Sequence, residues 1–147
     1  MKRFRFDLEK LLELRAYYER EAELELAKAM AELQGIQQRL EKLAEDRASV
    51  ARDRFLRSRS VAELQTIDLY LLRLDKTKEQ LLEAAAKAEL LVEEKRTVFL
   101  EASKDRKVIE KLKEKRLQDY RAISMAEETK EIDDISGGRQ ARQNLSI

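Results

Sequence analysis

Apolar residues recur in alternating steps of four and three along residues 22–50 of this 147-residue chain. The series consists of Ala22, Leu26, Ala29, Leu33, Ile36, Leu40 and Leu43, and Val50 continues it. Such spacing, kept over several heptads, lays one apolar stripe along a helix and is typical of a coiled-coil seam. Gly35 lies within the series but costs only about 1 kcal/mol relative to alanine. The pattern therefore predicts one long helix over residues 4–57 or so.

A second stripe follows, out of phase with the first. Its members are Leu64, Ile67, Leu71, Leu74, Lys78, Leu81, Ala85, Ala88, Val92, Phe99, Ala102 and Ile109. Carrying the first series forward puts a seam position at residue 61, three residues before Leu64. A displacement of three residues marks either a stammer in one continuous helix or a break between two helices.

The favoured interpretation is a break at residues 57–60, which read Arg-Ser-Arg-Ser. Ser60 is followed by Glu63 ahead of an apolar run, which is the capping-box pattern of a helix start. A short connection makes neighbouring helices antiparallel. The prediction is an all-α protein, a single antiparallel coiled-coil domain over residues 1–135 with unequal arms. It comprises helices over about 4–57 and 61–135, a turn at 58–60, and Phe4 opposite roughly Lys113.

The glycine pair at 137–138 is expected to end the second helix and to leave residues 136–147 disordered.

The composition fits long helices, since 41% of residues are charged, 5% are aromatic and none is proline. Cysteine and histidine are both absent, which excludes disulfides, thiolate chemistry and the commonest metal ligand. Five acidic residues are clustered near the C-terminus, and we interpret them as one exposed helix face rather than a metal site. They are Glu127, Glu128, Glu131, Asp133 and Asp134. No catalytic, cofactor or metal site is expected.

The net charge of +1 draws the chain as a whole neither to nucleic acid nor to a membrane. No apolar run approaches the roughly 20 residues needed to span a bilayer. The N-terminus is basic but lacks the apolar core of a secretory signal, so a cytoplasmic protein without direct membrane insertion is expected.

One apolar patch does not fit a two-helix seam. Leu69, Tyr70 and Leu72 lie beside the seam residue Leu71 and should face outward or flank the seam. The two interpretations are a surface for a partner and packing over Phe55 and Leu56 across the turn.

Basic residues are concentrated in residues 104–116, which hold seven cations and three acids. In the predicted hairpin this basic segment lies beside Lys2, Arg3 and Arg5, so two runs distant in sequence form one positive surface. Arg52, Arg54, Arg57 and Arg59 make the connection positive as well. Convergent basic runs favour an acidic partner over a merely solvated face. Phe4 and Phe6, at the start of the chain, are expected to close the open end of the hairpin.

Three motifs occur in order along the chain. The chain opens with FRFDLEKLLELR at residues 4–15, residues 104–115 form a charged run with Tyr120 after it, and residues 131–135 read EIDDI. The opening is similar to the F-x-F-x-L-x-x-[VL]-L-x-x-[RK] start of the flagellar FliJ family of the type III export apparatus. The second motif resembles the C-terminal helix of that family, and the third resembles its closing acidic element. The resemblance covers residues 1 to about 135.

The resemblance implies a non-enzymatic coiled-coil stalk that inserts into the hexameric ring of the export ATPase FliI and stimulates it. It also implies contact with the export gate protein FlhA and with export chaperones, at the cytoplasmic face of the inner membrane, by a chain that is monomeric alone. The residues expected on the ATPase side are Arg106, Lys107, Glu110, Lys111, Lys113, Arg116 and Asp133. Those expected on the gate side are Leu69, Tyr70 and Leu74.

Three alternatives stay open at this stage. A stalk protein of a virulence type III secretion system would have the same fold. A parallel homodimeric spacer would run as one continuous helix through residues 57–60. A nucleic-acid binder using residues 104–116 is disfavoured by the interleaved acids and by the lack of nearby aromatic residues for base stacking.

Overall fold

Two α-helices make up most of the protein in the computed structural model, which describes residues 2–146. Helix α1 spans Glu9–Leu56, helix α2 spans Val61–Leu145, and no strand occurs between residues 2 and 146. The helices pack against each other, which confirms the predicted all-α helical hairpin. Contacts divide the chain into two units. Unit 1 comprises Met1–Tyr17 and Ser103–Ile147, and unit 2 comprises Tyr18–Ala102.

The core of unit 2 is narrow and built largely from small side chains. Ile36 of α1 packs with Ala85 and Ala88 of α2, and partly buried leucines surround this cluster. The other buried apolar residues of unit 2 are Ala22, Ala29, Leu43 and Val92. All belong to the two predicted stripes, whose remaining apolar members in this unit are half-buried. Lys78, by contrast, is exposed, because its long side chain carries the charge away from the seam.

The break between the helices lies at residues 57–60, as predicted, and a capping box starts α2. The Ser60 amide donates to the Glu63 carboxylate at 3.4 Å, and the Glu63 amide donates to the Ser60 hydroxyl at 3.3 Å. These two bonds satisfy amides that the helix itself leaves without partners. The continuous helix required by the parallel homodimer is therefore absent.

The register in unit 2 is set by ion pairs that cross from α1 to α2. Arg47 pairs with Asp75, and Arg54 pairs with Asp68. Each pair is centred on residue 61, one residue beyond the predicted turn at 58–60.

Unit 1 pairs the N-terminal segment and the first turns of α1 with α2. Its interhelical ion pairs join Glu9 to Lys113 at 2.8 Å and Arg15 to Asp105 at 3.4 Å. Partner numbers fall as residue numbers rise, so the packing is antiparallel. Phe4 lies against Tyr120, so the prediction that it faces Lys113 was wrong by about two helical turns.

Helix α1 begins at Glu9, five residues later than predicted. Residues 2–6 are not helical because tertiary contacts fix them instead. Phe6 is buried, and the Arg116 guanidinium lies 5.6 Å from the centre of its ring. The Phe6 carbonyl accepts a bond from the Glu9 amide at 3.2 Å, where the helix starts.

Helix α2 continues ten residues past its predicted end at 135. The predicted disordered tail is helical to Leu145, and neither Gly137 nor Gly138 adopts a positive φ. A glycine lowers helix stability by about 1 kcal/mol without blocking the backbone, and the arginine, glutamine and alanine residues that follow favour the helix. All residues from 125 to 146 are exposed.

Candidate partner-binding surfaces

The aromatic start of the chain is held in place on α2 within unit 1. The rings of Phe4 and Tyr120 lie 5.5 Å apart, and the Tyr120 hydroxyl donates to the Lys2 carbonyl. Phe4 and Phe6 were expected to close the open end of the hairpin; they pack against Tyr120 and Arg116 of α2, which continues beyond them to Leu145. A shallow depression lined by both Arg3 and Arg5 also includes Lys113, so the two basic runs do meet in space.

Four of the seven residues predicted on the ATPase side are engaged in ion pairs within unit 1. Arg106 bonds to Glu110 one turn along α2. Lys113 bonds to Glu9 of α1, and Arg116 lies 3.4 Å from Asp7. The Lys113–Glu9 and Arg116–Asp7 pairs join α2 to the start of α1 and to the segment before it, whereas the Arg106–Glu110 pair lies within α2.

Lys107 and Lys111 differ from Arg106, Lys113 and Arg116 of the basic segment. Both are exposed, and they lie one turn apart on α2. Neither takes part in an ion pair with any residue between 2 and 146, so their charges face solvent. Asp133, the seventh predicted residue, lies in the exposed part of α2 beyond residue 124.

The residues predicted on the gate side also differ from one another in exposure. Leu69, Tyr70 and Leu72 are exposed on α2, while Leu74 is half-buried in the seam. The alternative in which Phe55 and Leu56 cover the patch is wrong, because each of those side chains is 80% exposed. Leu69, Tyr70 and Leu72 are therefore uncovered apolar side chains of unit 2, and we call the three the apolar patch. Leu69 and Leu72 lie one turn apart on α2, and Tyr70 lies one turn from the half-buried Leu74.

An ion pair beside Leu74 was not foreseen from the sequence. The Arg47 guanidinium donates to both Asp75 oxygens, at 2.7 and 3.3 Å. These hydrogen bonds hold the pKa of Asp75 below its ordinary value and raise the pKa of Arg47 further above its own. Both groups are therefore charged at neutral pH. Arg47 stands where the α1 stripe would otherwise have an apolar residue, and its partner Asp75 follows the seam residue Leu74 of α2. The only signal in the sequence was the position of Asp75 next to Leu74.

No group of three acidic side chains between residues 2 and 146 converges in a way that could hold a metal ion. The carboxylates at 127–134 are spread along an exposed helix face. Within the same residues, neither helix has a stretch long and apolar enough to cross a membrane.

Two long helices, paired antiparallel through a heptad seam, define a coiled-coil hairpin protein with solvent-facing charged and apolar surfaces. Comparison with protein families gives the particular group. The family model described as "Flagellar FliJ protein" matches residues 4–145, and the chain belongs to this family. The protein is thus a component of the flagellar export apparatus. Neither the curated proteins nor the solved structures gave a match.

Proposed function

We propose that the protein is a non-enzymatic stalk that binds the flagellar export ATPase FliI, stimulates its hydrolysis of ATP, and links it to the export gate and to export chaperones. Membership of the FliJ family supports the assignment to flagellar export rather than to a virulence system. In this proposal the protein acts at the cytoplasmic face of the inner membrane, and it is monomeric before it meets its partners.

The observation that carries the ATPase contact is the solvent-facing pair Lys107 and Lys111. Their neighbours Arg106, Lys113 and Arg116 are held by internal partners, and Lys113 and Arg116 join α2 to the N-terminal part of unit 1. Two unpaired cations one turn apart fit acidic side chains on a partner and raise the rate of encounter with it. Asp133 adds a negative charge on the exposed part of α2 and is a candidate for a basic site on the same partner.

The apolar patch of Leu69, Tyr70 and Leu72 is the candidate contact for the gate protein FlhA. Large apolar side chains that are uncovered and adjacent mark protein interaction sites, and tyrosine is enriched at the centre of such interfaces. Leu74 and the Arg47–Asp75 pair fix α2 at this point, so the patch is presented on a rigid element.

The mechanism is allosteric and has no chemical step on this chain. A stalk contributes one surface to a ring of equivalent ATPase subunits, so the subunits receive unequal contacts. A ligand that binds one conformation better shifts the population toward it by its differential affinity. Unequal contacts therefore favour different conformations around the ring, which promotes assembly and turnover.

The binding test measures the affinity of the purified flagellar ATPase for the native chain and for a Lys107→Glu/Lys111→Glu variant. We expect the variant to bind at least about tenfold more weakly, because the contact charge is reversed. The matched control is Lys28→Glu/Lys87→Glu, which reverses two exposed lysines in unit 2. Equal weakening by both variants, or by neither, would contradict an ATPase contact at Lys107 and Lys111.

The gate contact has a separate test. Tyr70→Ala should weaken binding to the cytoplasmic domain of the gate protein and leave ATPase binding unchanged. Leu90→Ala removes another exposed apolar side chain of unit 2 and serves as the control. Unaltered gate binding by the Tyr70 variant would remove the patch from the proposal.

A further inference from the structure

Three large apolar side chains are left uncovered where α1 and α2 are joined in unit 2. Phe55 and Leu56 end α1, each 80% exposed, and Val61 begins α2, 72% exposed. We name these residues the end cluster. Single exposed apolar residues are ordinary, but this cluster contributes nothing to the seam and concentrates its apolar surface at one end of the unit. The Arg54 guanidinium lies 5.6 Å from the centre of the Phe55 ring, and this contact still leaves Phe55 80% exposed.

The chain around the end cluster is strongly basic. Residues 52–61 contain four arginines and one aspartate, so their net charge is +3. Arg54 is paired with Asp68 of α2, which leaves Arg52, Arg57 and Arg59 with the single carboxylate of Asp53. Asp53 is shared between Arg59, at 2.6 Å, and Arg57, at 3.7 Å. Arg52 is exposed and makes no ion pair with any residue in the range 2–146, its guanidinium bonding only to the Ala48 carbonyl. One carboxylate therefore serves two cations, and positive charge remains beside exposed phenylalanine and leucine.

We propose that this end of unit 2 docks on an anionic phospholipid surface. Phe55, Leu56 and Val61 enter the boundary between headgroups and acyl chains, while Arg52 and Arg57 lie against lipid phosphates. Apolar side chains combined with clustered cations are the two signals that together hold a protein on an anionic bilayer. The contact is peripheral, and it does not depend on the proposed ATPase role.

Size and charge favour a bilayer over a protein partner. A stable protein interface buries roughly 800 Å² on each side, with some 20 residues. The end cluster offers three side chains around a four-residue connection, and the depression beside Leu56 is lined by only five residues, all of α1. A lipid surface needs no matching shape, and its negative charge complements the net +3 of residues 52–61.

The test is flotation of the purified native chain with vesicles of phosphatidylcholine, alone or mixed with phosphatidylglycerol. We expect binding only to the mixed vesicles, and we expect it to decline as salt is raised. Phe55→Ser/Leu56→Ser should lower the bound fraction by about tenfold through lost insertion. Arg52→Glu/Arg57→Glu should lower it by about 25-fold or more, since each cation near an anionic surface contributes about fivefold.

The controls are chosen to keep both the fold and the number of changes the same. Leu24→Ser/Leu90→Ser alters two exposed apolar residues of unit 2, and Lys28→Glu/Lys87→Glu alters two exposed cations. Both controls should bind mixed vesicles as the native chain does. Circular dichroism of every variant checks that the helices are retained.

Four results would overturn the proposal. They are absence of binding to mixed vesicles, equal binding to neutral vesicles, equal loss in the control variants, and release of the chain by inorganic phosphate at constant ionic strength. The last would indicate a site for free phosphate rather than a membrane surface. None of these measurements contains the ATPase. A result against the membrane contact is therefore distinguishable from a result against the proposed ATPase role.

Discussion

Arg47 occupies a seam position of α1 that an aliphatic residue would fill in a uniform coiled coil. Its guanidinium reaches both oxygens of Asp75, and both side chains remain more than 40% exposed. An exposed pair contributes modestly to stability. A polar residue at a seam position commonly fixes register at some cost in stability, and the two-pronged geometry of arginine suits that role. The pair therefore explains how α1 and α2 keep one alignment in unit 2 despite a core rich in alanine.

Acid titration tests this pair directly through Asp75→Asn. Because the folded-state pKa of Asp75 is lowered, its stabilising contribution is present above its ordinary value near 3.8. That contribution is lost as the pH falls through the lower folded-state pKa. The native chain should therefore be more stable than the variant at neutral pH, with the difference shrinking in acid.

The measurement is urea unfolding, followed by circular dichroism at a series of pH values. Glu83→Gln is the control, since Glu83 forms only a surface pair with Lys87 at 3.6 Å. A difference between native and Asp75→Asn chains that stays constant through acid pH would contradict the assigned role.

At the scale of the helices, the sequence predicted the features that depend on residues close together in the chain. The alternation at Ile36, Leu40 and Leu43 located the α1 seam, and Ser60 with Glu63 located the start of α2. The start of α1 was missed because Phe6 is held by Arg116, more than a hundred residues away. Propensity alone carries no information about such a contact.

The candidate surfaces were predicted only in part, for a similar reason. The sequence placed Lys107 and Lys111 in a basic segment, but it could not separate them from Lys113. That distinction depends on Glu9 lying opposite Lys113, which only the register provides. The exposure of Phe55 and Leu56 likewise depends on where α2 pairs with α1.

The core of unit 2 makes a sharp prediction for Ile36→Ala. Ile36 is 8% exposed and packs against Ala85 and Ala88, which cannot extend to fill the space left behind. We expect a loss of about 2–4 kcal/mol in the free energy of unfolding. Urea unfolding measures this loss.

Leu90→Ala provides the comparison for this core substitution. Leu90 is on α2 in the same unit but is exposed, so its loss should change stability by no more than about 0.5 kcal/mol. Similar costs for the two substitutions would mean that the seam is not where the unit derives its stability.

For the molecule as a whole, the residues that hold the fold differ from those proposed to bind partners. Residues 125–146 bury nothing, and Lys107, Lys111 and the apolar patch lie outside the seam. This separation should allow substitutions at the proposed contacts without unfolding the protein.

A truncation that removes residues 126–147 tests the same separation. The truncated chain should keep the unfolding free energy of the full chain within about 0.5 kcal/mol, because no buried side chain is lost. It should lose helical signal in proportion to the residues removed, since α2 reaches Leu145. A large loss of stability, or no loss of helical signal, would contradict the account of α2.

The central claim is that this FliJ-family chain acts as a stalk that stimulates the flagellar export ATPase. The most direct measurement is the rate of ATP hydrolysis by that ATPase while the native chain is titrated in, alongside Lys107→Glu/Lys111→Glu and the Lys28→Glu/Lys87→Glu control. We expect saturable stimulation by the native and control chains, and little by the Lys107/Lys111 variant. Absence of stimulation at concentrations where the native chain is folded and monomeric would contradict the claim.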